Sequence, residues 1–102
     1  MTMAASVVTY SVDAENAEEL AQRVKEHLVP AARTAHGYRG MVLLDQGEGK
    51  RLALLLFDSV DDVRAAQAAL TPVGKEHTYA LMSGPAIGSV GTVIVADGVF
   101  EH

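Results

Sequence analysis

The sequence predicts an α+β domain of the ferredoxin-like kind, with a four-stranded antiparallel sheet and helices on one face. Three observations predict it. The segments order themselves as β-α-β-β-α-β, the split βαβ arrangement. The 102 residues are enough for one domain spanning 1–102 and leave little room for a second. Apolar residues are 49% and charged residues 21% of the chain, a balance that buries a core rather than staying disordered.

Ser6 to Val12 (SVVTYSV) is β-branched and alternating, with Val8, Tyr10 and Val12 on one side and Val7, Thr9 and Ser11 on the other. Asp13 then stands where an N-cap is expected, and Glu15, Glu18 and Glu19 follow where the helix dipole favours anions. Ala17, Leu20, Ala21, Val24 and Leu28 recur at helical spacing. Pro30 is expected to end or kink this helix near Leu28, with a further turn over 31–35 and a stop at Gly37.

Gly40 to Asp45 (GMVLLD) reads as the second strand and Arg51 to Phe57 (RLALLLF) as the third, joined by a glycine-containing hairpin loop over 46–50. Ser59 is an N-cap candidate, with Asp61 and Asp62 in the first turn of a second helix carrying Val63, Ala66, Gln67 and Leu70. Thr71-Pro72 is expected to break it, leaving 73–82 as a short helix or an irregular lid. Val90 to Ala96 (VGTVIVA) reads as the last strand, with Gly91 a possible bulge.

The strands are apolar on both faces. Leu52, Leu54 and Leu56 oppose Ala53, Leu55 and Phe57; Met41 and Leu43 oppose Val42 and Leu44; Val93 and Val95 oppose Ile94 and Ala96. Two crossover helices cover one face only. Leaving the other wet would forfeit roughly 1.5–3 kcal/mol for each large apolar side chain. A homodimer packed through the open sheet face is therefore expected.

The net charge of −5 argues against nucleic-acid binding, which needs Lys and Arg to neutralise phosphates. Without cysteine there is no disulfide, thiolate nucleophile or cysteine–zinc site. No apolar run approaches the ~18 residues of a membrane span, and the start has no signal-peptide pattern, so a cytoplasmic location is the expectation. Gly47-Glu48-Gly49-Lys50 lacks the spacing of a phosphate-binding loop.

The stretches GYRGMVLLD (37–45) and LALLLFDSVDDV (52–63) resemble the antibiotic-biosynthesis-monooxygenase-like group of dimeric α+β barrels. The turn into strand two, and Phe57-Asp58-Ser59 followed by Asp61-Asp62, carry the likeness, with Phe where Trp is common. The resemblance implies a pocket between the sheet and the helices of each subunit. It also implies either cofactor-independent oxygenation of a small aromatic or polyketide-like substrate, haem binding and degradation, or ligand binding without catalysis. Candidate pocket residues are Tyr10, whose phenol could donate to a substrate oxygen, and Gln67, His77 and Tyr79. Tyr10 and His77 are the catalytic candidates. No cofactor is expected on the first reading. His77 would be the iron ligand on the haem reading, although the Asn and Trp of haem-degrading relatives are replaced near Thr9 or Tyr10 and Ala66 or Gln67. Tyr38 is expected to pack structurally, His36 and Arg39 to be solvated turn residues, His27 to border the pocket or the surface, and His102 to be a free terminus.

Overall fold

The computed structural model describes residues 2–98; His102 lies outside them. Strand β1 (Ala4–Ser11) leads into helix α1 (Ala14–Arg23), a π turn (Val24–Leu28) and the short helix α2 (Val29–Arg33). Strands β2 (Tyr38–Gly47) and β3 (Lys50–Phe57) form a hairpin, followed by helix α3 (Val60–His77), a 3₁₀ turn (Tyr79–Leu81) and strand β4 (Ile87–Thr92). The sheet order is β2-β3-β1-β4, antiparallel throughout, as the ferredoxin-like reading requires.

The hairpin is tighter than its glycines suggested. The strands run to Gly47 and Lys50, leaving Glu48-Gly49 as a two-residue turn with φ of 55° and 77°. Two positive φ values in succession are the mark of a type I′ hairpin, whose twist matches that of the flanking strands. Gly49 also accepts from the Val12 amide at 2.8 Å, and a Cβ there would meet the Val12 carbonyl oxygen at 2.4 Å.

Three expectations are corrected. Asp13 precedes α1 in an extended conformation, but its carboxylate makes no capping bond; its backbone carbonyl accepts from Asn16 instead. Ser59, by contrast, caps α3 by accepting from the Asp62 amide at 3.1 Å. Second, α3 is not broken at Thr71-Pro72. The proline removes one helical donor, yet the helix is held on both sides of it. Val63 and Ala66 are buried before it, and beyond it Thr78 donates both its amide and its hydroxyl to the Gly74 carbonyl, each at 2.9 Å. Third, β4 is Ile87–Thr92 rather than 90–96, and Gly91 stands in register opposite Ala5 with no bulge. The length of β4 is set by its partner. The ladder begins with Ile87 across Thr9 and runs out at Ala4, where Val93 makes a final bond to the Met3 carbonyl. Val93 to Ala96 therefore lie beyond the ladder, with Ile94 and Val95 exposed.

The alternation of the two central strands is as read. On the helix side, Ala4, Ala53, Leu55 and Phe57 pack with Ala32, Val63 and Ala66 in one cluster, while Tyr10 and Val12 pack with Leu20 and Val24 in another. Tyr38 meets Phe57 edge to face, ring centroids 5.9 Å apart, in the structural role expected of it. The open side carries Val7, Val42, Leu52 and Leu54 side by side, with Leu44 and Ile87 exposed at 47% and 67%.

His36 and Arg39 are more engaged than solvated turn residues. Arg39 pairs with Asp58, and His36 Nδ1 lies 2.7 Å from Asp62. The Asp62 carboxylate raises the His36 pKa, and the imidazole lowers that of Asp62. A raised histidine stabilises the fold fully below its unfolded value and loses that contribution as pH rises through the folded one. A lowered carboxylate contributes above its unfolded value and loses that as pH falls. The pair therefore contributes most between about pH 4.5 and 6. His36 is 90% exposed, so the effect is small. Thermal unfolding of the wild type is expected to weaken slightly from about pH 6 to 8, and His36→Gln is expected to flatten that slope; equal slopes would remove the pair from the account.

Candidate functional site

The helices do not lie flush on the sheet. Between them is a cavity of about 140 Å³. Its floor is Ser6, Val8 and Tyr10 of β1 with Met41, Leu43, Ala53 and Leu55 of the hairpin. One wall is Val24 and Leu28 from the π turn, another is Gln67, Leu70, Thr71 and Gly74 of α3, and Thr78, Tyr79, Met82 and Ala86 close the end.

The π turn gives this cavity part of its shape. Pro30 has no amide hydrogen, and its ring would press on the carbonyl four residues back in a regular helix. The chain widens the preceding turn instead, and the Val29 amide reaches the Val24 carbonyl five residues back. The sequence reading anticipated a disturbance near Leu28 but not its form, and so missed Val24 and Leu28 as lining residues.

The structure brings Tyr10, Gln67 and Tyr79 together on the cavity and places His77 elsewhere. The His77 imidazole stacks on His27 with centroids 3.7 Å apart and planes 3° from parallel, while its carbonyl accepts from Arg23 at 3.0 Å. His27 accordingly borders α3 rather than the cavity. Gln67 donates to the Ser6 hydroxyl across a long 3.4 Å contact, so its amide is only weakly engaged. Ser6 was a missed residue; its parity with Val8 and Tyr10 was the available signal. Tyr79, 41% exposed, stands at the rim, its ring against Gly74, where a Cβ would come within 2.8 Å of Cε1.

Tyr10 is 7% exposed, and its hydroxyl is buried without a hydrogen-bond partner. Burial pushes its pKa up; the Arg51 guanidinium, its cross-strand partner, lies too far off line for a well-formed hydrogen bond but close enough to act on the hydroxyl by a weak one and by its charge, in the opposite direction. Among the described residues no charged side chain lines the cavity, and no group of three or more potential ligands could hold a metal.

Haem does not fit this arrangement. The histidine expected to ligate iron is off the cavity and stacked on a second imidazole, and among the described residues the cavity lining offers no other histidine, carboxylate or sulfur anion to hold iron. Among the described residues no helix is long and apolar enough to cross a membrane.

The architecture has close counterparts among solved structures. A candidate antibiotic biosynthesis monooxygenase from Nitrosomonas europaea superposes with a TM-score of 0.78 at 15% identity, covering 94% of each chain. The chain has the antibiotic-biosynthesis-monooxygenase fold. SnoaB, a cofactor-independent oxygenase from Streptomyces nogalater, aligns over 92% of this chain and 95% of its own, with a TM-score of 0.75 and 16% identity. A monooxygenase from Streptomyces coelicolor, solved with the ligand nanaomycin D, aligns over 94% and 91%, with a TM-score of 0.73 and 18% identity. At such identities the likeness is one of fold, which hosts more than one function. No family model matches the sequence, and neither does any curated protein.

Proposed function

We propose that the protein binds a small aromatic ligand in the sheet–helix cavity and acts on it as a cofactor-independent monooxygenase. The observation that carries this reading is the cavity itself: apolar, uncharged, and furnished with a few spaced polar side chains, as small-molecule sites usually are. Its volume is close to the ~150 Å³ that takes one benzene-sized ring, so a fused-ring substrate would have to extend past Tyr79 to the outside.

The chemistry asks little of the protein. An activated ring carbon loses a proton, the carbanion gives its electrons to dioxygen, and the resulting peroxide expels water. The balance is CH₂ plus O₂ to C=O plus H₂O. On this reading the walls exclude water from the carbanion, and Tyr10, Gln67 and Tyr79, which line the cavity, hold the ring oxygens.

A second reading, ligand binding without catalysis, draws on a specific observation. Among the described residues, Tyr10 and Tyr79 are the only ionisable groups lining the cavity, and burial of Tyr10 makes it a poor acid at neutral pH. On either reading we infer a dimer through the open face, because Val7, Val42, Leu52, Leu54 and Leu44 put large apolar side chains side by side there, with Ile87 beyond Thr9, and soluble monomers seldom leave such a face wet.

Oxygen uptake with single-ring substrates bearing an acidic C–H next to a carbonyl discriminates the two. Uptake above the uncatalysed rate, reduced roughly tenfold or more by Ala53→Leu, which fills part of the cavity, is the expected result. Binding with no added uptake would leave only the non-catalytic reading.

A further inference from the structure

Gly74 is buried inside α3 with ordinary helical backbone, so no turn or positive φ asks for glycine there. Glycine weakens a helix interior relative to alanine. What the missing side chain provides is room for a ring. A Cβ at this position would meet Cε1 of Tyr79 at 2.8 Å and Cζ at 3.2 Å, closer than real Cβ contacts come. The backbone that carries the ring is tied on both sides. Thr78 donates its amide and its hydroxyl to the Gly74 carbonyl. The Leu81 and Met82 amides close the 3₁₀ turn at 3.0 and 3.2 Å, and the Ser83 amide reaches the Ser11 carbonyl of β1 at 2.9 Å. The movable part of this end of the cavity is therefore the Tyr79 side chain, 41% exposed at the rim, rather than the chain beneath it.

We propose that Tyr79, seated on Gly74, is the size filter of the cavity: with the ring on its seat the site takes ligands of one aromatic ring, and two fused rings enter only when the ring swings out. The cavity volume of about 140 Å³ matches a single benzene-sized ring. The floor is sheet and the side walls are helix, so a longer ligand has to pass the rim where Tyr79 stands. Tyr79 acts here through the place of its ring. Gly74 is a positioning residue that acts through Tyr79. A methyl group at 74 displaces the ring, and the ring, as the exposed partner of the contact, yields toward solvent. This inference rests on the cavity being a site for aromatic ligands, and it deepens that reading by setting the upper size of the ligand.

The test uses the full chain and two probes that share a polar group and differ by one ring, phenol and 2-naphthol, with both affinities measured by calorimetry. Burial of apolar area alone favours the larger probe. The wild type is expected to reverse that order and bind phenol roughly tenfold or more tightly than 2-naphthol. Gly74→Ala and Tyr79→Ala are each expected to remove the preference for phenol, the first by displacing the ring and the second by deleting it. Tyr79→Phe should keep the preference, which separates the place of the ring from its hydroxyl. Circular dichroism of each variant verifies folding; alanine favours the helix at 74, and Tyr79 is exposed enough for truncation to leave the core intact. Phenol bound no more tightly than 2-naphthol by the wild type, or a preference that survives either Gly74→Ala or Tyr79→Ala, overturns this inference while leaving the cavity reading in place. Failure of both probes to bind the wild type overturns both.

Discussion

Replacing Leu54 with glutamate is expected to turn a dimer into a monomer without unfolding the chain. Leu54 stands at the centre of the open face, opposite Val7 on one side and Val42 on the other. Its side chain points away from α1 and α3, so a charge there is solvated in the isolated chain and leaves the core intact. In a sheet-on-sheet interface the same carboxylate is buried against apolar surface with no cation to meet it, at a cost of several kcal/mol per chain. Light scattering at micromolar concentration should give twice the chain mass for the wild type and the single-chain mass for the variant, with unchanged circular dichroism. A wild type that is already monomeric would contradict the account of the open face.

Phe57→Ala is expected to be the most damaging single truncation. Phe57 is fully buried where β1, β2 and α3 meet, paired across the sheet with Ala4 and Tyr38 and packed in the cluster that holds Ala32, Val63 and Ala66. Removing the ring should cost about 3–5 kcal/mol, since neighbours already in contact cannot close the gap. That is a large part of the stability of a domain this size and should lower the melting temperature by roughly 15–30 °C. A loss under about 1 kcal/mol would mean that the sheet and α3 do not depend on this contact.

Much of this arrangement could be read in the residues. The alternation in SVVTYSV and RLALLLF assigned both faces of the central strands, because a period of two leaves no other choice once one face is covered. Ser59 announced the start of α3. What could not be read depended on partners distant in sequence. Val93 to Ala96 are more strand-like than Ile87 to Thr92, yet pairing follows where β1 has free backbone groups, and β1 starts at Ala4. Pro72 looked like a helix end because the anchors that carry α3 past it, Gly74 against Tyr79 and Thr78 back to Gly74, form only in the folded chain. Tyr10 and Gln67 were legible as cavity residues because their elements were, whereas Tyr79 reaches the cavity from a 3₁₀ turn that the expected break at Thr71-Pro72 did not foresee. His77 was drawn toward the cavity by family resemblance, and the continuation of α3 carries it to His27 instead. Arg51 drew no attention as the first residue of an apolar strand; only its burial and its place beside Tyr10 make it notable.

The account rests on the sheet having two apolar faces with separate jobs. Methyl-resolved NMR during titration with a single-ring phenol tests this most directly, because the Val and Leu methyls divide cleanly between them. The expected result is movement of Val8, Leu28, Leu43 and Leu55, which line the cavity, with Val42, Leu52 and Leu54 unmoved. Shifts concentrated on Val42, Leu52 and Leu54, or no shifts at all, would contradict it.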